Sequence, residues 1–151
     1  MIKFIGEYIS KVDDKGRVVF PADFKALMVG NEEHPDMRLV IRKDIFDSCL
    51  QMFTYQEWER ESEKIKERLD FFNVDHAHFW REYMRNRALV CADGKLGRIS
   101  IPKRLLDEIG VNKEIVFFGN DHKIEVWARE VFEKGSPDGR GIEELAKTLS
   151  K

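Results

Sequence analysis

The chain has 151 residues, 42% of them hydrophobic and 36% charged, the balance of a globular domain large enough to bury a core. Its formal net charge is −2, which excludes a binding mode resting on overall basicity; contact with nucleic acid would need a local patch, multiplied by oligomerisation. No apolar run approaches a membrane span, residues 1–6 are too short and too soon charged for a signal peptide, and Cys49 and Cys91 are too few for a disulfide framework, so we expect a soluble cytoplasmic protein without membrane attachment.

In chain order, residues 4–12 read as a strand, with Phe4, Tyr8 and Val12 among its apolar positions and Ile5 and Ile9 blurring the alternation. Asp14-Lys15-Gly16 is a tight turn, because Asp tolerates left-handed geometry and Gly enters it without steric penalty. Residues 17–20 form the returning strand of that hairpin, and Pro21 suits the first turn of a short helix over 22–27. A loop at 30–35 leads to two further strands, 38–42 and 48–53. From 55 to 72, Trp58, Ile65, Leu69 and Phe72 share a helical face, with Ser62 at the missing step. Opposite charges three apart, such as Glu57 and Arg60, support a solvated outer face. Residues 73–75 break the helix and offer a cap, and a second helix over 76–88 carries Phe79, Trp80, Tyr83 and Met84. Strands follow at 89–92 and 98–101, then a helix over 103–109, a strand at 114–118, a turn at 119–121 and a strand at 123–127. Residues 134–141 form a flexible joint, and Ile142, Leu145 and Leu149 make a short amphipathic tail that docks or frays.

The chain repeats itself. Asp13-Asp14-Lys15-Gly16-Arg17-Val18-Val19-Phe20-Pro21 returns as Asp93-Gly94-Lys95-Leu96-Gly97-Arg98-Ile99-Ser100-Ile101-Pro102, with an offset of 81 from Gly16 to Gly97 and from Pro21 to Pro102. A repeat within one small chain marks a duplicated structural unit. Each half is strand, turn, strand, short helix, strand, strand, and a helical hairpin joins the halves. The expected organisation is one domain over 1–134 (repeat one 1–54, helical hairpin 55–88, repeat two 89–134), followed by the joint and short C-terminal helix at 135–151.

These motifs, together with Phe4-Ile5-Gly6-Glu7-Tyr8, Lys113 to Gly119 and Ile124-Glu125-Val126-Trp127, resemble the MraZ family, and the resemblance covers the chain to about Lys134. It implies a mixed β fold with helices, an AbrB/MazE/MraZ-like double-split β-barrel in which two swapped-hairpin repeats form an intrachain pseudo-dimer. It further implies a nucleoid-associated, DNA-binding transcriptional regulator of the division and cell-wall gene cluster that forms a ring-shaped homo-oligomer on direct repeats in its own promoter and blocks or modulates transcription there, as a repressor or otherwise. The family signature is Asp, three residues, Arg; Asp13 and Arg17 obey it, whereas Asp93 and Arg98 are separated by four residues, which makes the second turn one residue longer.

The chemistry suits that signature. A two-stranded ribbon enters the major groove, Arg grips guanine or phosphate bidentately, and Lys meets phosphate as a point charge. The expected DNA contacts are Lys15, Arg17, Lys95 and Arg98; Asp13, Gly16, Asp93 and Gly97 orient the turns. A single such turn reads more simply as a surface ion pair, and the repetition together with the whole-chain resemblance tips the balance towards a binding surface.

Other residues read as structural. Arg38, Arg42 and Lys43 suit a solvated strand edge, His76 and His78 a helix start, Cys49 and Cys91 the core, and Trp58, Trp80 and Trp127 packing anchors. No phosphate loop, nucleophile elbow or zinc-protease motif is present, so we expect no enzyme, cofactor, metal or small-molecule substrate. The alternatives are an AbrB-like or antitoxin-like regulator and a ring-forming assembly protein that does not bind DNA.

Overall fold

The computed structural model describes residues 1–92, 94 and 96–150; Asp93, Lys95 and Lys151 lie outside the described residues. The first half runs β1 (Phe4–Lys11), β2 (Arg17–Val19), α1 (Ala22–Val29), β3 (Arg38–Lys43) and β4 (Cys49–Thr54). Two helices follow, α2 (Tyr55–Lys66) and α3 (Val74–Met84). The second half repeats the order with β5 (Ala88–Cys91), β6 (Arg98–Ser100), α4 (Lys103–Glu108), β7 (Glu114–Asp121) and β8 (Lys123–Ala128). The chain ends with α5 (Arg129–Phe132), α6 (Ile142–Ala146) and a 3-10 turn, Lys147–Leu149. Among the described residues no helix is long and apolar enough to cross a membrane.

The pairing of the strands exchanges the two halves. Six strands form one antiparallel sheet in the order β1-β7-β8-β4-β3-β5, and β2 pairs with β6 in a separate ribbon. The opening strand of each half therefore lies against the closing hairpin of the other: β1 runs along β7 from Phe4 opposite Asp121 to Lys11 opposite Glu114, and β5 runs along β3. The hairpin expected between residues 4–12 and 17–20 does not form a ladder. Among the described residues, the hydrogen bonds between the two segments come from the Ser10 hydroxyl, which accepts the Val19 amide at 3.2 Å and donates to the Val19 carbonyl at 3.1 Å. The alternation in β1 is resolved in the same way: Phe4 and Ser10 are buried, whereas Ile5 and Ile9 face outward.

One core serves both halves. Phe24 on α1 is fully buried and meets Phe4, Tyr8 and Phe20 edge-on at centroid distances of 5.2, 5.0 and 6.3 Å. Phe20 in turn packs on Phe117 of the second half at 5.7 Å. Leu105, Leu106 and Ile109 complete the same cluster.

The helical hairpin is shorter than its sequence pattern. Thr54 caps α2 by accepting the Glu57 amide, and Asn73 caps α3 by accepting the amides of Asp75 and His76. The first helix stops at Lys66 and Phe72 is fully exposed, so the expected apolar face ends early. The second stops at Met84, because Asn86 is left-handed (φ 58°) and Ala88 is taken into the sheet opposite Ile41. Strand β7 likewise runs through the expected turn at 119–121: Gly119 pairs with Gly6, and a Cβ there would sit 2.6 Å from the Phe4 and Ile5 backbone. The reversal is Asp121–His122 instead, with Asp121 at φ 67°. Helix α5, which the pattern did not suggest, places Phe132 on Phe118 and Trp127. The tail does not dock on the described residues, for Ile142 and Leu149 are both exposed.

The two repeated turns are locked together through their backbones. The Ile101 amide donates to the Gly16 carbonyl at 2.9 Å, and the Phe20 amide donates to the Gly97 carbonyl at 2.8 Å. Gly16 (φ 80°) is so close that a Cβ would lie 2.4 Å from the Ile101 carbonyl oxygen, whereas Gly97 (φ 67°) has open space around it. Gly97→Ala should therefore lose only the left-handed penalty of about 1–2 kcal/mol. Gly16→Ala should lose distinctly more, measured as denaturant midpoints; equal midpoints would show that the close approach is not maintained in solution. Phe24→Ala, which empties the shared core, should destabilise by about 3–5 kcal/mol in the same assay.

Candidate nucleic-acid interface

The ribbon is built from equivalent residues of the two repeats. Arg17 lies opposite Ser100, Val18 opposite Ile99, and Val19 opposite Arg98. Val18 and Ile99 hold the same place in the repeat, so the pairing is symmetric about them, and both are buried. Residues directly opposite share a face, so burying this pair turns Arg17, Ser100, Val19 and Arg98 outward together. The two arginines are diagonal neighbours on that face, at the roughly 7–8 Å spacing typical of such positions.

The first turn is organised by one carboxylate. Asp13 Oδ1 accepts the amides of Lys15 and Arg17, each at 2.9 Å, and Asp13 Oδ2 accepts Arg17 Nε at 2.6 Å. The Asp13 backbone closes the loop, donating to the Arg17 carbonyl and accepting the Gly16 amide, both at 3.1 Å. The Arg17 amide above all, with the Arg17 guanidinium and the Lys15 amide, holds the Asp13 carboxyl down at about 2. Asp13 thus stays ionised through and below the ordinary carboxylate range, and its clamp on Arg17 is lost only as the pH falls towards about 2. With its Nε occupied, the Arg17 side chain remains 40% exposed, and the outer edge of the guanidinium is left for a ligand. Lys15 is exposed at the tip.

The second turn has the same length but different chemistry. Its closing bond runs from the Gly97 amide to the Gly94 carbonyl at 3.0 Å, matching the Gly16 to Asp13 bond, so Gly94 occupies the place of Asp13. This corrects the expectation of a turn one residue longer: the closing bond spans the same number of residues in both copies. Arg98 and Gly97 stand where the repeat puts them, while the expected Asp93 and Lys95 contributions lie outside the described residues. The tip residue equivalent to Lys15 is Leu96, and it is exposed.

The basic segment beyond the turns is already engaged. Strand β3 is interior, between β4 and β5, and not the solvated edge expected. Arg38 forms a bidentate pair with Asp36 and lies over the Tyr55 ring, 3.7 Å from its centroid. Arg42 is only 13% exposed; it forks onto Glu61, donates to Gln51 Oε1 and lies against Phe53, which ties the helical hairpin to the sheet. Lys43 Nζ donates to the carbonyls of Asp44 and Asp47. His76 Nδ1 accepts the Asp70 amide, a structural role at the helix start. Cys49 is buried, but Cys91 is exposed on the edge strand β5, so only one of the two cysteines is a core residue. No group of three metal-ligating side chains occurs among the described residues. Sequence reading missed Ser10 and the Arg42–Glu61 fork; the one signal for the latter was an arginine at a position that the strand pattern turns towards the helices.

The model of a family described as "MraZ protein, putative antitoxin-like" matches residues 3–82 and 88–138. Relatives include the transcriptional regulator MraZ of Bacteroides fragilis, 36% identical over 97% of this chain and 93% of the relative. The protein of that name from Bacteroides thetaiotaomicron is 38% identical over 96% of this chain and 93% of its own. That from Caldanaerobacter subterraneus is 32% identical over 96% and 95%. A match along nearly the whole length, including both turns of the ribbon, shows that the chain belongs to the MraZ family.

Proposed function

We propose that the protein is a sequence-specific DNA-binding transcriptional regulator whose β2–β6 ribbon is the reading element. The observation that carries this is the symmetric pairing that sets Arg17 and Arg98 side by side on one outward face. The naming of the relatives as transcriptional regulators points the same way. A two-stranded ribbon matches the width of the major groove, and the free edge of an oriented guanidinium matches guanine O6 and N7 or a phosphate. Asp13 positions Arg17, and Lys15 meets the backbone. The exchange of strands between halves supports a double-split barrel acting as an intrachain pseudo-dimer. A chain of net charge −2 binds weakly through one such ribbon; a ring-shaped homo-oligomer on direct repeats of its own promoter gains affinity by presenting several. Occupying the promoter represses or modulates the division and cell-wall genes downstream, in the cytoplasm at the nucleoid.

An assembly protein that forms rings without DNA is the second reading, favoured by the net charge and by exposed Phe46 and Phe72. Salt titration separates the two, since each neutralised phosphate contributes roughly −0.9 to the slope of log affinity against log salt. With DNA from upstream of its own gene, Arg17→Ala should abolish selective binding while the fold and oligomer persist. Asp13→Asn should weaken it about tenfold through loss of orientation. Arg98→Ala should lose less selectivity, because Gly94 offers that arginine no carboxylate. Normal binding by Arg17→Ala would overturn the assignment.

A further inference from the structure

We infer that the two turns read different chemistry, and that Leu96 is a specificity-determining residue that takes the 5-methyl group of thymine in the major groove. This rests on the DNA-binding reading above. The outward face of the ribbon divides into two unlike ends. Around Arg17 stand Lys15 at the tip, Ser100 opposite and the Asp13 carboxylate beneath, all polar. Around Arg98 stand, among the described residues, Leu96 at the tip and Val19 opposite, both exposed, and Gly94 at the place of Asp13.

Leu96 is 72% exposed between Gly94 and Gly97 and is absent from the core cluster. It holds the place of Lys15 in the repeat, so it occupies the second tip as Lys15 occupies the first. Of the groups displayed in the major groove, the thymine methyl is the one apolar group that projects beyond the ring C–H edge, and an aliphatic side chain has no hydrogen bond to offer the polar ones. A leucine at a reading tip therefore selects thymine beside the base or phosphate held by Arg98. A lysine there would hold phosphate without regard to sequence. The first turn then supplies an oriented arginine and a phosphate contact, and the second an arginine flanked by apolar discrimination.

The test uses the full-length protein and DNA from upstream of its own gene, with each thymine replaced in turn by uracil, which removes only the methyl group. Wild type should bind roughly fourfold more weakly when the contacted thymine is replaced, the effect of one lost apolar methyl contact. Leu96→Ala should bind the thymine and uracil forms equally, with unchanged thermal stability because the side chain is exposed. Lys15→Ala should bind more weakly overall yet keep the thymine preference. Leu96→Lys should erase the preference and steepen the salt slope by roughly 0.9. Selective binding by wild type that ignores every uracil, or a thymine preference that survives in Leu96→Ala, overturns the inference and leaves the DNA-binding reading intact. Absence of selective binding by wild type overturns both.

Discussion

The pairing of Val18 with Ile99 is the contact on which the candidate interface depends. Two short strands, each of three residues, come from turns 81 positions apart and meet as symmetry-related copies. Neither is long enough to persist alone. Burying the central pair against the shared core supplies the driving force, and the reciprocal bonds at Gly16–Ile101 and Gly97–Phe20 extend the ladder at both ends. The outward presentation of both arginines follows from the pleat once that pair faces in. A shift of one residue in register would turn Arg17 and Arg98 towards the core, so apolar burial also fixes the exposed chemistry.

The exchange of β1 and β5 between halves sets the ribbon on a base that both halves share. The core joins Phe24 of the first half through Phe20 to Phe117 of the second, so neither half has a complete core of its own. The ribbon is carried on this common base, and the side chains that would meet DNA are placed by ordered backbone. Arg42 and its fork to Glu61 anchor the helical hairpin to the same base, with Tyr83 Oη donating to Glu61 Oε2. Burial tends to raise the Glu61 carboxyl, but the bonds from Arg42 and Tyr83 outweigh it and lower its pKa overall.

Charge in this chain is decided by engagement more than by number. Arg38, Arg42 and Lys43 form the densest basic stretch in the first half, and each is satisfied within the protein. The turns keep cationic groups available on an exposed surface despite the acidic total. Asp13 adds negative charge to that surface and at the same time fixes the direction of Arg17, trading bulk attraction for orientation.

Much of the architecture was legible along the chain. The repeat, the order of elements in each half, the cap within 73–75, and the turn at Asp13–Arg17 follow from local chemistry: glycine where φ is positive, proline at helix starts, and apolar residues at regular spacing. Three matters were settled only by the tertiary structure. Strand partners were one, because alternation shows that Arg17–Val19 is extended but not that it pairs with Arg98–Ser100 in preference to β1. The ends of the helical hairpin were another, because the sheet claims Ala88 from a segment with helical periodicity. The last was the fate of individual cations: Arg17 and Arg42 are alike in sequence, and only packing determines that one lies at a surface and the other ties two layers together. Local preference reaches a few residues along the chain, whereas burial and pairing are decided by what arrives from 81 positions away.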